Sequence, residues 1–196
     1  MDKYYHFNKE DADRAVAYYR ENYEKEAIYR SPLYDGVREM LQDLQAMGKK
    51  LFVVTAKPQE LAGIVLRHTG IAGYFQAVIG PDRSERKTDK AALSRRALWA
   101  AEESEEKAAG AEKDEAAGTN AVGTKPAEAA EGNADQVKTA EHSLMVGDRH
   151  YDIEGAMQTG LDSMGVLYGY GSRRELSRAG AAYLARTPAE VVELLR

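Results

Sequence analysis

Ser143-Leu144-Met145-Val146-Gly147-Asp148-Arg149-His150-Tyr151-Asp152-Ile153-Glu154-Gly155-Ala156 decides the fold of this chain. Leu144 to Val146 is an apolar run of the length of a buried parallel strand, and Gly147 breaks it with a tight turn. Asp148 is thereby placed at the carboxyl end of a strand, the edge of an open α/β sheet at which ligands bind. Four residues on, Asp152 opens a helix whose Gly155, Ala156 and Gly160 allow close packing against a sheet. Two carboxylates converge on one crevice, a donor set suited to Mg²⁺, which takes one or two protein carboxylates and fills its shell with water and phosphate oxygen. Acidic residues also cap first helical turns for purely structural reasons, so the remainder of the chain has to support this assignment.

Working back from that stretch, the chain alternates helix and strand. Asn8 caps a helix from about Lys9 to Tyr23, with Ala15, Val16, Tyr19 and Tyr23 at helical spacing. Within it Asp11-Ala12-Asp13 has the look of an acidic catalytic pair, but no apolar strand precedes it, and it reads as a solvated helix start. After Ser31-Pro32, Val37, Met40, Leu41, Leu44 and Met47 mark a second helix ended by Gly48. Leu51-Phe52-Val53-Val54 is a strand that ends in the hydroxyl of Thr55. Gln59 to His68 is helical, Phe75 to Ile79 is a third strand segment, and Lys90 starts a helix after the charged loop Asp82 to Asp89. A lysine beside a charged loop is usually just solvated. Lys90, however, stands at a helix start facing the same sheet edge as Asp148.

Residues 101–142 are dominated by Ala, Glu, Gly and Lys and read as a low-complexity, flexible insertion, helical at most near Ala101 to Ala109. Beyond the Asp148 element come a strand at Ser163 to Tyr168, a short helix at Arg173 to Ala179, a strand at Ala181 to Ala185, and a last helix. That helix is announced by Thr187 as N-cap, Pro188 at the first position and Glu190 three residues after the cap. This order predicts a Rossmann-like, three-layer α/β/α arrangement around a parallel sheet.

The 196 residues suffice for one sizeable core, and a formal net charge of −5 leaves no broad basic surface for nucleic acid. The absence of Cys excludes a disulfide framework, and no apolar run approaches the length of a membrane span. The expectation is a cytoplasmic protein that binds neither nucleic acid nor membrane. No Gly-x-Gly-x-x-Gly or Gly-x-x-x-x-Gly-Lys phosphate loop follows any strand, which argues against a nucleotide-binding domain of those kinds.

Phe52-Val53-Val54-Thr55-Ala56-Lys57-Pro58, Asp89-Lys90-Ala91, Gly147-Asp148-Arg149-His150-Tyr151-Asp152 and Gly165-Val166-Leu167-Tyr168-Gly169-Tyr170-Gly171 occur in this order. Together they resemble the haloacid dehalogenase-like hydrolase superfamily, in particular its phosphoglycolate phosphatase and 5′-nucleotidase-like branch. The resemblance implies a Mg²⁺-dependent phosphomonoester hydrolase acting on a small phosphorylated substrate through an aspartyl-phosphate. Carried over, Thr55 with Ala56 beside it and Lys90 hold the phosphate, Thr55 and Lys90 acting in catalysis. Asp148 takes the metal and Asp152 supports its shell. It also implies a domain plan in which 1–31 is a remnant of a helical cap, 32–100 and 143–196 form the core, and 101–142 is the insertion.

In that family an aspartate nucleophile and a second aspartate two residues later follow a strand lying between those matching Phe52–Thr55 and Leu144–Val146. No apolar run followed by Asp-x-Asp occurs here, so the core is expected to be incomplete. Such a strand brings several ladder hydrogen bonds at about 1 kcal/mol each and several buried side chains at roughly 1.5–3 kcal/mol apiece. The chain is therefore expected to be a fragment or a decayed relative of a phosphatase that folds poorly alone. The alternative is a non-catalytic module that keeps the phosphate and metal cradle for binding.

Overall fold

The computed structural model describes residues 7–83, 85, 89–111 and 140–196. Helix α1 (Lys9–Lys25) is followed by a 3-10 turn (Ala27–Arg30), α2 (Val37–Ala46), β1 (Phe52–Val54), α3 (Gln59–His68), a second 3-10 turn (Ala72–Tyr74) and β2 (Ala77–Ile79). Helix α4 (Lys90–Ala111), β3 (Leu144–Gly147), α5 (His150–Met157), β4 (Asp162–Val166), α6 (Arg173–Arg178), β5 (Tyr183–Ala185) and α7 (Pro188–Leu194) complete the order. All strand pairs are parallel, each joined by a helical crossover.

The caps behave as their residue types dictate. Asn8 Oδ1 accepts the Asp11 N–H at 2.8 Å, and Thr187 Oγ1 accepts that of Glu190 at 3.2 Å. The Glu190 carboxylate in turn accepts the N–H of Arg186, the residue before the cap, at 2.6 Å. Asp89 Oδ1 accepts the Ala91 N–H at 3.0 Å and starts α4. Helix α5 begins two residues before Asp152, at His150, because the carboxylate of Asp152 reaches back to the Arg149 N–H at 3.2 Å; Asp152 ties down a first turn already formed. Helix α4 continues through Ala111, into the stretch read as an insertion; residues 112–139 of that stretch lie outside the described residues.

The strands form two ladders. Among the described residues β1 pairs only with β2, with Phe52, Val53 and Val54 opposite Ala77, Val78 and Ile79. The second ladder runs β3-β4-β5, with Val146 opposite Met164 and Val166 opposite Ala185. The ladders are tied through helices. Met40 of α2 packs both on the cluster of Met164, Val166, Ala185 and Val191 and on that of Leu41, Leu66 and Ile71. Met164 and Val166 face that first cluster, whereas the backbone of Gly165, between them, approaches Leu176 of α6. Helices therefore cover both faces of the sheet, the layering the strand-helix order predicts.

Burial follows this division. β4, with a neighbour on each side, is buried from Ser163 to Val166. β1 is only half-buried along its length, and Val146 of β3 is 40% exposed, although both strands are apolar. Met164 is fully buried at the centre of its cluster. Met164→Ala is expected to lower stability by about 2–5 kcal/mol through lost burial and an unfilled cavity. Urea unfolding should show this as a lower midpoint with an unchanged slope.

Candidate active site

The site is built where the two ladders meet. Thr55 follows β1, and its N–H donates to Ile79 O at 2.9 Å, which fixes the strand end. Its Oγ1 accepts the Lys57 N–H at 3.1 Å, a local turn that holds the hydroxyl beside the exposed Ala56. Lys90, in the first turn of α4, extends its ammonium across the junction. Nζ donates to Val54 O, at the end of β1, at 2.8 Å, and pairs with Asp152 Oδ1, just beyond β3, at 2.8 Å. Both side chains of this ion pair are largely buried. Thr55, Lys90 and Asp152 are thus brought together from three separate stretches of sequence.

Close backbone approach makes this possible. A side chain at Gly155 would meet Lys90 Cγ at 2.7 Å, so the glycine of α5 is the gap through which the lysine stem passes. A side chain at Gly147 would collide with Asp152, whose carboxylate lies folded over that glycine. Asp152 spends one oxygen on Lys90 and the other on the Arg149 N–H. Its first task in this geometry is to hold the lysine.

Asp148 is placed differently. Oδ2 accepts the Tyr170 N–H at 2.8 Å, and the backbone at Gly169 and Gly171 lies so close that a β-carbon at either would strike Asp148. The loop after β4 thus cradles this carboxylate from one side. Burial, and secondarily the Asp148 charge, push the Tyr168 hydroxyl up to about 12, so a neutral phenol stands beside the carboxylate. Among the described residues no group of three or more His, Asp or Glu side chains is arranged to hold a metal. The donor set nevertheless fits a cation of the Mg²⁺ type, which needs only one or two carboxylates and draws its remaining ligands from water and phosphate. Asp148 would supply the direct oxygen, and Asp152, already engaged, would act through water.

A separate ionic knot locks the first turn of α5. Glu175 Oε1 accepts from Arg149 Nε at 2.9 Å and the His150 N–H at 3.1 Å, and contacts His150 Nδ1 at 2.9 Å. Arg149, then His150, hold the Glu175 carboxyl down to about 2. His150 and Glu175 also border a shallow hollow of about 540 Å³, lined further by Glu154, Ser172 and Arg178 but by neither Thr55 nor Lys90. Glu175 was not among the residues singled out from sequence. Lying 26 residues from Arg149, it carries no local pattern that would mark it.

A model of the haloacid dehalogenase-like hydrolases matches residues 2–160. This chain belongs to that family. It is 31% identical over 172 residues to a 5′-nucleotidase of Pseudomonas aeruginosa, covering 88% of this chain and 62% of the relative. A phosphoglycolate phosphatase of Vibrio parahaemolyticus is 30% identical over 166 residues, 84% of this chain and 57% of that protein. The chain therefore spans about three fifths of these relatives. Among solved structures, a predicted phosphatase from Clostridium acetobutylicum superimposes with a TM-score of 0.74 at 28% identity, over 99% of this chain and 74% of the other. The family expected from the sequence, and the α/β fold with parallel strands and helices, are those observed. No helix among the described residues is long and apolar enough to cross a membrane.

Two outcomes are expected from this geometry. Lys90→Met and Asp152→Leu should each destabilise the fold by about 1–3 kcal/mol, because each leaves a charge without its partner. The double variant should cost less than the sum, a coupling measurable in a denaturation cycle. Glu175 gains acidity on folding, so its contribution to stability is complete above the ordinary value of 4.5 and fades as pH falls toward about 2. In thermal melts from about pH 6 to about pH 2, Glu175→Gln should lose less stability on acidification than the parent.

Proposed function

We propose that this chain carries the phosphate and metal cradle of a Mg²⁺-dependent phosphomonoester hydrolase that works through an aspartyl-phosphate, of the phosphoglycolate phosphatase or 5′-nucleotidase-like kind. The observation that supports it is the placement of the Lys90 ammonium, 2.8 Å from both Val54 O beside Thr55 and the Asp152 carboxylate. A transferring phosphoryl group spreads negative charge over its equatorial oxygens, and fixed donors with a cation are the complement to that charge. In this reading Thr55 Oγ1 and the exposed backbone at Ala56 receive phosphoryl oxygens. Lys90 offsets their charge, Asp148 holds the metal, and Asp152 keeps the ammonium in place. A bound Mg²⁺ would neutralise phosphoryl oxygen charge and orient the group for in-line attack.

The nucleophile has no counterpart among these residues. The sole Asp-x-Asp of the sequence, Asp11-Ala12-Asp13, lies in the first turn of α1, where Asp11 is bonded to Asn8 and paired with Arg14 at 3.7 Å. We place the attacking carboxylate on a strand inserted between β1 and β3. Among the described residues each of these two strands has a single ladder partner, and both are half-exposed. The regions 32–100 and 143–196 then act as one core, 1–31 as part of a cap over the site, and 101–142 as a dispensable connection.

The same observation supports a second reading, a non-catalytic module that binds phosphate and cation. One assay separates the two. The chain joined to an apolar strand ending in Asp-x-Asp should release phosphate from p-nitrophenyl phosphate only when Mg²⁺ is present. Asp148→Asn should cut that rate by about 100-fold, the scale of losing one preorganised electrostatic partner. Release that is independent of metal, or unchanged by Asp148→Asn, would sink the hydrolase reading. Calorimetric binding of Mg²⁺ and phosphate without turnover would favour the module.

A further inference from the structure

Two residues beyond Thr55, Lys57 is held by its backbone, while its side chain turns toward α1. Its N–H donates to Thr55 Oγ1 at 3.1 Å, and two residues on the Gln59 N–H donates to Pro81 O at 3.0 Å, so the turn is fastened at both ends. The half-buried side chain leaves this turn toward α1. There the ammonium meets the phenolic oxygen of Tyr23 and lies 4.6 Å from the centre of its ring. Tyr23 in turn stacks on Tyr19, with centroids 5.7 Å apart. Among the described residues the ammonium is thus met by a neutral phenol rather than by a carboxylate. This is an incomplete match for a partly desolvated cation, because a phenol oxygen brings no opposite charge to neutralise the ammonium.

The way α1 is held bears on this. No residue of α1 is buried. Besides the Lys57–Tyr23 contact, it is tied to the core through Arg83, which pairs with Glu24 of α1 at 3.2 Å and with Glu60 of α3 at 2.7 Å. Such polar contacts exchange for water or for a competing ion at small cost, whereas a packed apolar face does not. Arg83 is already neutralised by two carboxylates. Among the described residues no carboxylate pairs with Lys57.

We propose that Lys57 determines substrate specificity by pairing with a carboxylate on the leaving-group half of the phosphomonoester, and that Tyr23 holds its place when no substrate is bound. The inference rests on the assignment of Thr55 and Lys90 to the phosphoryl group. A ligand anchored there extends past Thr55 toward Lys57. A single ammonium matches a single negative charge, and a second phosphate would call for a further free cation. Substrate binding then trades the phenol for a carboxylate and loosens α1 at Tyr23, so the same lysine reads the substrate and releases the helix above it.

The test is calorimetric, on the chain itself with Mg²⁺ present, comparing 2-phosphoglycolate with ethyl phosphate, which lacks the carboxylate. The parent should prefer 2-phosphoglycolate by about tenfold, as one charge-assisted hydrogen bond provides. Lys57→Met should bring the ratio close to one while leaving ethyl phosphate within about twofold, and Lys57→Arg should restore much of the preference. Tyr23→Phe, which removes the competing oxygen, should tighten 2-phosphoglycolate alone. Equal affinities in the parent, or a Lys57→Met variant that weakens both esters alike, would overturn the proposal. Ethyl phosphate binding that is insensitive to Lys90→Met would instead remove the phosphate assignment beneath it, and no binding of either ester would overturn both.

Discussion

One ammonium joins the two parts of this molecule. Lys90 reaches from the start of α4 to a carbonyl at the end of β1 and to a carboxylate at the start of α5, and so joins the first ladder to the helix that follows the first strand of the second. A partly buried lysine must find acceptors, and these two are the ones the fold places around it. The positions of the neighbouring groups follow from that demand. Gly155 must lack a side chain to let the lysine stem pass, and Asp152 must fold over Gly147 to reach it. Asp148, left out of the pair, remains the carboxylate with capacity to spare at the sheet edge. The division of labour between two aspartates four residues apart is set by which of them the lysine takes.

The ladders are held from both sides, yet the strands nearest the junction are not sealed. Met40 of α2 packs on both hydrophobic clusters, and Lys90 spans the junction from α4. Between them β1 and β3 keep apolar residues half-exposed, in contrast to β4, which is buried on both faces. Apolar strands gain most from two neighbours, because each further ladder covers side chains and satisfies backbone groups together. The less buried strands are thus also those whose ends carry Thr55 and Asp148.

An acidic chain can still offer a positive site because the relevant field is local. Lys90 and Lys57 flank Thr55, one bonded within the core and the other turned toward α1. Nearby, Lys25 is paired with Glu21, and Arg83 with Glu24 and Glu60. Net charge therefore says little about what the crevice attracts, whereas the pairing of individual side chains says much.

The alternation of helices and parallel strands, the caps at Asn8 and Thr187, and the placement of Thr55, Lys90, Asp148 and Asp152 at one sheet edge were all legible from residue order. These features rest on local rules: apolar periodicity, capping chemistry and the requirement that parallel strands be joined by crossovers. Local rules could not say that Asp152 pairs with Lys90, or that Glu175 fastens Arg149 and His150. They also could not pair Tyr23 with Lys57, 34 residues away. Those facts depend on distances between groups remote in sequence, and such distances exist only once the helices have packed and each buried charge has found its partner.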